Sequence, residues 1–316
     1  MRQLHVYLAI LLAISCNRGQ TLTTDISSEE DDSLVILFTG DVLLDRGVRR
    51  EAGRHGWPWL FSGVDSLFHK ADATVINLEC PLTEVSTPLG KRFIFRADTC
   101  TASVMQRAGI THATLANNHS NDQGFQGLRS TVATLHRAGI TPMGWADTAE
   151  KRLSPTLIRK GGITAALFCA VLIPLENWMP DNNDISPCQT DAATLAEAIR
   201  THRSLYPSHR IICVLHWGIE FQPYATPQQI RQSGALITAG ADVIIGHHPH
   251  IVQPTRPSDP IPVLYSLGNF IFDQRTPKAC QAQIARLMLR HDTILATTIP
   301  VSIQQCRPVP VQSPSL

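Results

Sequence analysis

A chain of 316 residues with 43% hydrophobic and 17% charged content has apolar material for one large core. Its formal net charge is +1, with lysines and arginines scattered along the chain. That excludes the basic stripe needed for counterion-releasing contact with DNA or RNA, so nucleic acid is not an expected partner.

The first sixteen residues bear on compartment. Arg2 supplies a short positive segment, Val6 to Ile14 is an uninterrupted apolar run, and Ala13-Ile14-Ser15-Cys16 follows. The run is too short to cross a hydrocarbon layer that needs about 20 helical residues, so residues 1–15 read as a signal peptide. The small residues before Cys16 resemble a bacterial lipobox, although Ala13 stands where leucine is usual. The resemblance implies cleavage before Cys16, diacylglycerol on its sulfur, and a membrane-anchored lipoprotein exported to the cell envelope. Residues 16–32 end in Glu29-Glu30-Asp31-Asp32 and hold too few aliphatic side chains to offset the entropy of ordering them. They read as an acidic tether.

From Ser33 the chain alternates strand-like and helix-like segments. Leu34 to Phe38 and Ala73 to Ile76 are strand-like, and Asp41 and Glu79 follow them. Helical periodicity closed by glycine covers 99–108, 124–138 and 227–239. Further strands are expected at 163–171, 211–216, 242–246 and 262–267, and Ile284 to Leu289 with Thr293 to Pro300 reads as a hairpin. Pro174 to Gln189 reads as a long irregular loop. This order predicts an α/β domain over residues 33–300, with two sheets face to face and helices outside, and a C-terminal tail over 301–316. Removing Cys16 from the eight cysteines leaves seven, an odd number. Cys169 and Cys213 sit in apolar runs as core residues. Cys188, Cys280 and Cys306 are candidates for disulfides in an exported protein, with no connectivity indicated.

The chemistry concentrates at strand ends. Asn117-Asn118-His119, His216-Trp217-Gly218 and Gly246-His247-His248-Pro249-His250 each follow an apolar run, and parallel strands deliver such loops to one edge. Gly40 is expected to permit a tight turn before Asp41. Imidazoles with carboxylates suit manganese, zinc or iron better than calcium or magnesium. An asparagine carbonyl such as that of Asn118 is an acceptable ligand, and an imidazole is the side chain suited to proton transfer near neutral pH, which makes His119 a candidate proton donor to a leaving group.

In order, Gly40-Asp41, Asn77-Leu78-Glu79, Asn117-Asn118-His119 with Asp122 and Gly124, His216-Trp217-Gly218 with Glu220, Gly246-His247-His248-Pro249-His250 with Gln253, and Ser266-Leu267-Gly268-Asn269-Phe270 resemble the CapA-like capsule synthesis family. That family is named for poly-γ-glutamate and is similar to the calcineurin-like metallophosphoesterases. The resemblance implies a single-domain, four-layer α-β-β-α sandwich of the metallo-dependent phosphatase type, with one or two divalent ions of manganese, zinc or iron. It implies Asp41, Glu79, Asn118, His216, His248 and His250 as ligands, Glu79 as a bridge, and His119 as general acid. Arg96 falls where the family has an arginine, and it or Arg46 is placed to bind a phosphate or glutamyl carboxylate. Asp45, Asp122 and Glu220 are expected in support, Glu220 by orienting His216. Two positions depart from the phosphoesterase pattern. Leu43 stands where a second histidine is usual, and Ser120 where an acid is usual.

The expected activity is that of a metal-dependent hydrolase or transferase on an anionic capsule or envelope component, cleaving a phosphoester or a γ-glutamyl linkage. The alternative, motivated by Leu43 and Ser120, is a non-catalytic factor that binds the polymer, assisted by capsule-assembly proteins, and keeps a structural metal site.

Overall fold

The computed structural model describes residues 33–149, 151–178 and 185–311. The expected signal peptide, Cys16 and the expected tether lie outside the described residues. In chain order the first half comprises β1 (Leu34–Val42), α1 (Arg46–His55), a 3-10 turn (Trp57–Phe61), α2 (Asp65–Phe68), β2 (Ala73–Leu78) and α3 (Thr101–Arg107). It continues with β3 (His112–Thr114), α4 (Gly124–Arg137), β4 (Thr141–Met143) and β5 (Trp145–Ala146). Next come β6 (Thr156–Lys160), β7 (Ile163–Val171), β8 (Ser186–Pro187), α5 (Ala192–Leu205), β9 (Arg210–His216), α6 (Pro227–Ala239) and β10 (Val243–His247). The chain then makes β11 (Val252–Gln253), β12 (Val263–Leu264), β13 (Ser266–Leu267) and β14 (Asn269–Ile271). It closes with β15 (Gln281–Leu289), β16 (Ile294–Gln304) and β17 (Arg307–Pro310).

Two sheets carry the fold. The first has eight strands in the order β17-β16-β15-β1-β2-β3-β4, with β14 also paired to β1. The second has five, in the order β12-β10-β9-β7-β6. The pairs β1–β2, β2–β3, β3–β4, β7–β9 and β9–β10 are all parallel.

The strands sort their side chains by period two. Leu34, Ile36 and Phe38 of β1 pack with Ile163, Ala165 and Leu167 of β7 and with Ile212 and Val214 of β9, forming a core between the sheets. Leu37 of β1 and Ile76 of β2 turn the other way, against Val48 of α1, Met105 of α3 and Leu128 of α4. Ala166 and Phe168 of β7 face Leu195 and Ile199 of α5 and Leu236 of α6. The layers therefore run helices, sheet, sheet, helices, the α/β sandwich expected, within one compact unit from Ser33 onward.

The helices are set by local signals. α6 begins at a capping box, Thr226 accepting from the Gln229 N–H while the Gln229 side chain accepts from the Thr226 N–H. α5, which the periodicity reading passed over, starts at Asp191, whose carboxylate accepts from the Thr194 N–H at 2.8 Å. Asp45 caps α1 in the same way through Arg46 N at 2.7 Å.

Four expectations need correction. Residues 301–310 are not a tail: β16 runs on to Gln304, and a two-residue turn at Gln305 and Cys306 returns the chain as β17. Alternation of buried Val301 and Ile303 with more exposed neighbours continues the strand past Pro300, which the proline had obscured. The strand expected at 262–267 is split, Val263–Leu264 joining the second sheet and Ser266–Leu267 pairing with β11. Cys188, Cys280 and Cys306 are free thiols, as are all seven described cysteines. Within the long loop, Ser186–Pro187 forms a short ladder with β5.

Phe38 is fully buried between the sheets. Phe38→Ala is expected to destabilise the protein by about 3–5 kcal/mol in urea unfolding, because the cavity would lie between two sheets that cannot collapse independently. A loss below about 1 kcal/mol would contradict a tightly packed interface there.

Candidate metal centre

Parallel pairing aligns the carboxyl ends of both sheets. Asp41 lies opposite Asn77 across β1 and β2 and opposite Asn269 across β1 and β14, while His216 lies opposite His247 across β9 and β10. Gly40 is required for a reason other than the turn expected. β1 continues through it to Val42, and a Cβ at position 40 would stand 2.0 Å from the Gly268 carbonyl oxygen. Only glycine lets the chain before β14 lie this close to β1.

Asp41 is fully buried. Its Oδ1 accepts from Asn77 Nδ2 at 2.8 Å, and its Oδ2 lies 3.1 Å from His250 Nδ1 and 3.4 Å from the His248 backbone N. Glu79 is also fully buried, with Oε1 3.8 Å from His250 Nε2. Neither Glu79 oxygen has a hydrogen-bond partner, and His248 Nδ1 is buried without one. His216 Nε2 lies 2.8 Å from Asn118 Oδ1, and its Nδ1 lies 3.4 Å from Asn77 Nδ2. Donor atoms of Asp41, Glu79 and His250 fall within 4.8 Å of one another, as do those of Glu220, His248 and His250.

The electrostatics point to a cation. Burial pushes the Glu79 carboxyl well above the usual range, and the Asp41 charge adds to it. Burial opposes ionisation of Asp41 too, but the His250 hydrogen bond and charge outweigh it and hold that carboxyl low. Burial alone would depress His250, yet Glu79 and Asp41 lift it to about 9. An imidazolium is thus the positive charge that the protein itself can place between these carboxylates. His248 is pushed down to about 4 by burial and by His250, and His216 well below its usual value by burial and by His248. Neutral imidazoles, with His248 Nδ1 unpartnered, beside unpartnered buried carboxylate oxygens are what a divalent transition ion needs, and what a core without one avoids. The donor set fits a metal.

The backbone is strained where these groups meet. His248 and His250 take φ of 96° and 59°, and Phe221 and Arg46 take 61° and 50°, all in the left-handed region. Phe221, Arg46 and His250 line one cleft of about 120 Å³, together with Phe93, Phe95, Phe272, His119 and Glu220. His119 Nδ1 lies 2.9 Å from Asp122 Oδ2, and its ring packs on Phe95 with centroids 4.3 Å apart. That leaves Nε2 for a substrate. Asp122 is anchored in turn by Lys91 Nζ at 2.8 Å, an ion pair almost wholly buried.

The structure gathers Asp41, Glu79, Asn118, His216, His248 and His250 at one place and puts His119 beside them, with Asp122 behind His119. Arg96 is exposed, and what it brings to the site is backbone: its N–H donates to Asp45 Oδ2 at 2.8 Å. Arg46 is the arginine that lines the cleft. Its guanidinium sits 4.7 Å over the Phe95 ring and 2.5 Å from Asp273 Oδ1. Asp45 serves as a helix cap and a tie to the Arg96 strand of loop. Glu220 has a donor atom within 4.8 Å of those of His248 and His250, whereas the side-chain polar contacts of His216 are to asparagines. Three asparagines outside the expected ligand set hold it in place. Asn77 bonds Asp41, Asn269 Oδ1 lies 3.0 Å from His250 Nδ1, and Asn117 Oδ1 accepts from the His119 N–H at 3.0 Å. Their signal was visible in Asn77-Leu78-Glu79 and Ser266-Leu267-Gly268-Asn269, where a polar residue shares a strand end with an acid or follows a glycine.

The family described as bacterial capsule synthesis protein PGA_cap matches residues 35–274. The chain belongs to that family. It is 26% identical to the PGA biosynthesis protein CapA of Bacillus subtilis over 99% of this chain and 84% of that one. It is 25% identical to the capsule biosynthesis protein CapA of Bacillus anthracis over 96% and 76%. Among solved structures it is similar to the NAD nucleotidase of Haemophilus influenzae, with 15% identity and a TM-score of 0.48, over 89% of this chain and 60% of that one. The matched span of the family takes in every candidate donor, from Asp41 to His250.

Metal analysis of the purified protein is expected to find near-stoichiometric manganese, zinc or iron, lost in Asp41→Ala and in His250→Ala. Asp45→Ala, which removes a helix cap worth about 0.5–2 kcal/mol and the tie to the Arg96 N–H but no donor of this set, is expected to retain the metal. Equal metal in all three variants would exclude this donor set.

Proposed function

We propose that this capsule-synthesis family member is a metal-dependent hydrolase or transferase acting on an anionic capsule or envelope polymer. The observation that carries the reading is the pair of unpartnered, buried Glu79 oxygens grouped with Asp41 and His250 beside a cleft that His119 also lines. Asp41, Glu79, Asn118, His216, His248 and His250 would hold the metal. When bound, the ion supplies an activated water and polarises the attacked phosphoryl or carbonyl group.

The protein's own groups do the rest. His119, held through Nδ1 by Asp122, presents Nε2 to the departing oxygen or nitrogen and donates its proton. Asp122, anchored by Lys91, keeps the imidazole in one orientation. Arg46 faces an anionic group of the substrate, its guanidinium held by the Asp273 pair and by the Phe95 ring beneath it. Phe93, Phe95, Phe221 and Phe272 exclude bulk water from the cleft. The relatives' role in PGA and capsule biosynthesis supports a γ-glutamyl polymer or its phosphorylated precursor as the substrate. The apolar run and the lipobox-like Ala13-Ile14-Ser15-Cys16 support export and anchoring through lipidated Cys16.

Burial of Leu43 in the helix-side core, where it offers no donor, favours the second reading: a polymer-binding assembly factor with a structural metal. Turnover separates the two. On γ-glutamyl oligomers or an activated phosphodiester, with manganese supplied, chelator is expected to abolish turnover. His119→Ala is expected to lower kcat by about 10²–10⁴ with metal content unchanged. Polymer binding without any chelator-sensitive turnover would sink the catalytic reading in favour of the binding factor. For the anchor, radiolabelled fatty acid is expected in the wild-type chain and absent from Cys16→Ser, and label in neither would remove the lipoprotein assignment.

A further inference from the structure

We propose that Glu220 is a metal ligand, forming with His248 a second cation position beside the Asp41–Glu79–His250 set and replacing the donor that Leu43 does not supply. The inference rests on the metal reading above and goes beyond it by naming the ligand that makes the centre dinuclear.

Position 43 contributes nothing to the cleft. Leu43 is fully buried in the apolar cluster shared with the helices, and its backbone N–H donates to the Ile271 carbonyl at 2.8 Å. A second ion would therefore lack one donor on the β1 side. Glu220 offers a carboxylate oxygen within 4.8 Å of donor atoms of both His248 and His250. Because His250 belongs to this triplet and to the one with Asp41 and Glu79, the two positions are neighbours.

Glu220 is exposed, so its placement needs a cause, and the loop after β9 provides one. Trp217 N–H donates to the His247 carbonyl at 3.2 Å and Phe221 N–H to the Pro249 carbonyl at 2.9 Å, which straps the loop to the His248–His250 turn on both sides of Glu220. Gln253 Nε2 donates to the carbonyls of Gln222 and Tyr224 at 3.0 and 3.1 Å, while Gln229 Nε2 donates to Gln253 Oε1 at 3.0 Å. Both glutamines are buried. Two buried amides and a strained Phe221 at φ 61° thus hold one short loop against the histidine turn.

The partner donor is ready as well. His248 Nδ1 is buried and unpartnered, and the His248 ring stands 4.7 Å from that of His216, which adds an imidazole to the same side. Charge balance agrees. With Glu220, three carboxylates face two divalent ions; without it, only Asp41 and Glu79 do. A carboxylate with two imidazoles matches manganese, zinc or iron and gives no preference for calcium.

The test uses the full-length chain stripped with chelator and titrated with manganese(II), read by calorimetric stoichiometry and by electron paramagnetic resonance. Wild type is expected to take up about two equivalents and to show the multiline spectrum of a coupled pair. Glu220→Gln, at an exposed position that does not threaten folding, is expected to take up about one and show the six-line spectrum of an isolated ion. Glu220→Asp is expected to restore the second equivalent with weaker affinity. The same stoichiometry and spectrum in wild type and Glu220→Gln would overturn this inference while leaving the Asp41–Glu79–His250 position standing. No uptake by folded wild type would overturn both.

Discussion

The contacts of Asp41 Oδ2 with the His248 backbone N–H at 3.4 Å and with His250 Nδ1 at 3.1 Å join the first sheet to the second at the edge where both present their carboxyl ends. The apolar core between the sheets sets their separation, but it has no preference for what stands at their rim. A buried carboxylate does, because it must find donors or a cation. Asp41 takes one hydrogen bond from its neighbour strand, through Asn77, and the other contacts from across the sandwich. In doing so it fixes where the 248–250 turn sits and hence where His248 and His250 stand.

That arrangement is expensive by the standards of an ordinary core. Two carboxylates and three imidazoles are packed away from water, and Glu79 is left without a hydrogen bond. Left-handed backbone at His248 and His250 adds strain. In a protein with no ion to bind, replacing such a cluster by well-packed apolar residues would be neutral or stabilising. The surrounding asparagines orient Asp41, His216 and His250, and the Lys91–Asp122 pair anchors His119, while both Glu79 oxygens and His248 Nδ1 are left open, as a site built for a ligand requires.

The cleft above it is shaped as much by aromatic rings as by charge. Arg46 lines it with its guanidinium over Phe95 and its charge shared with Asp273. Phe93 and Phe221, both on its lining, are exposed, so the rim of the cleft is apolar.

Much of the fold was legible from period and punctuation. The helix over 227–239, the strand over 163–171 and the late hairpin follow from local patterning, since strand alternation and capping residues act within a few positions of themselves. The same holds for the donor types, because an acid or a histidine directly after an apolar run is a local feature. The residues that misled were those whose role is defined by something distant. Pro300 hid the continuation of β16, Arg96 lent the site its backbone rather than its charge, and the role of Gly40 depends on a carbonyl more than two hundred residues away. By itself the sequence determined the layers, the polar strand ends and the kind of ion they suit. Only the tertiary structure decided that Glu220 faces His248 and His250 and that Leu43 faces the core. Those directions are set by loop straps and sheet packing across long sequence separations, which no local pattern encodes.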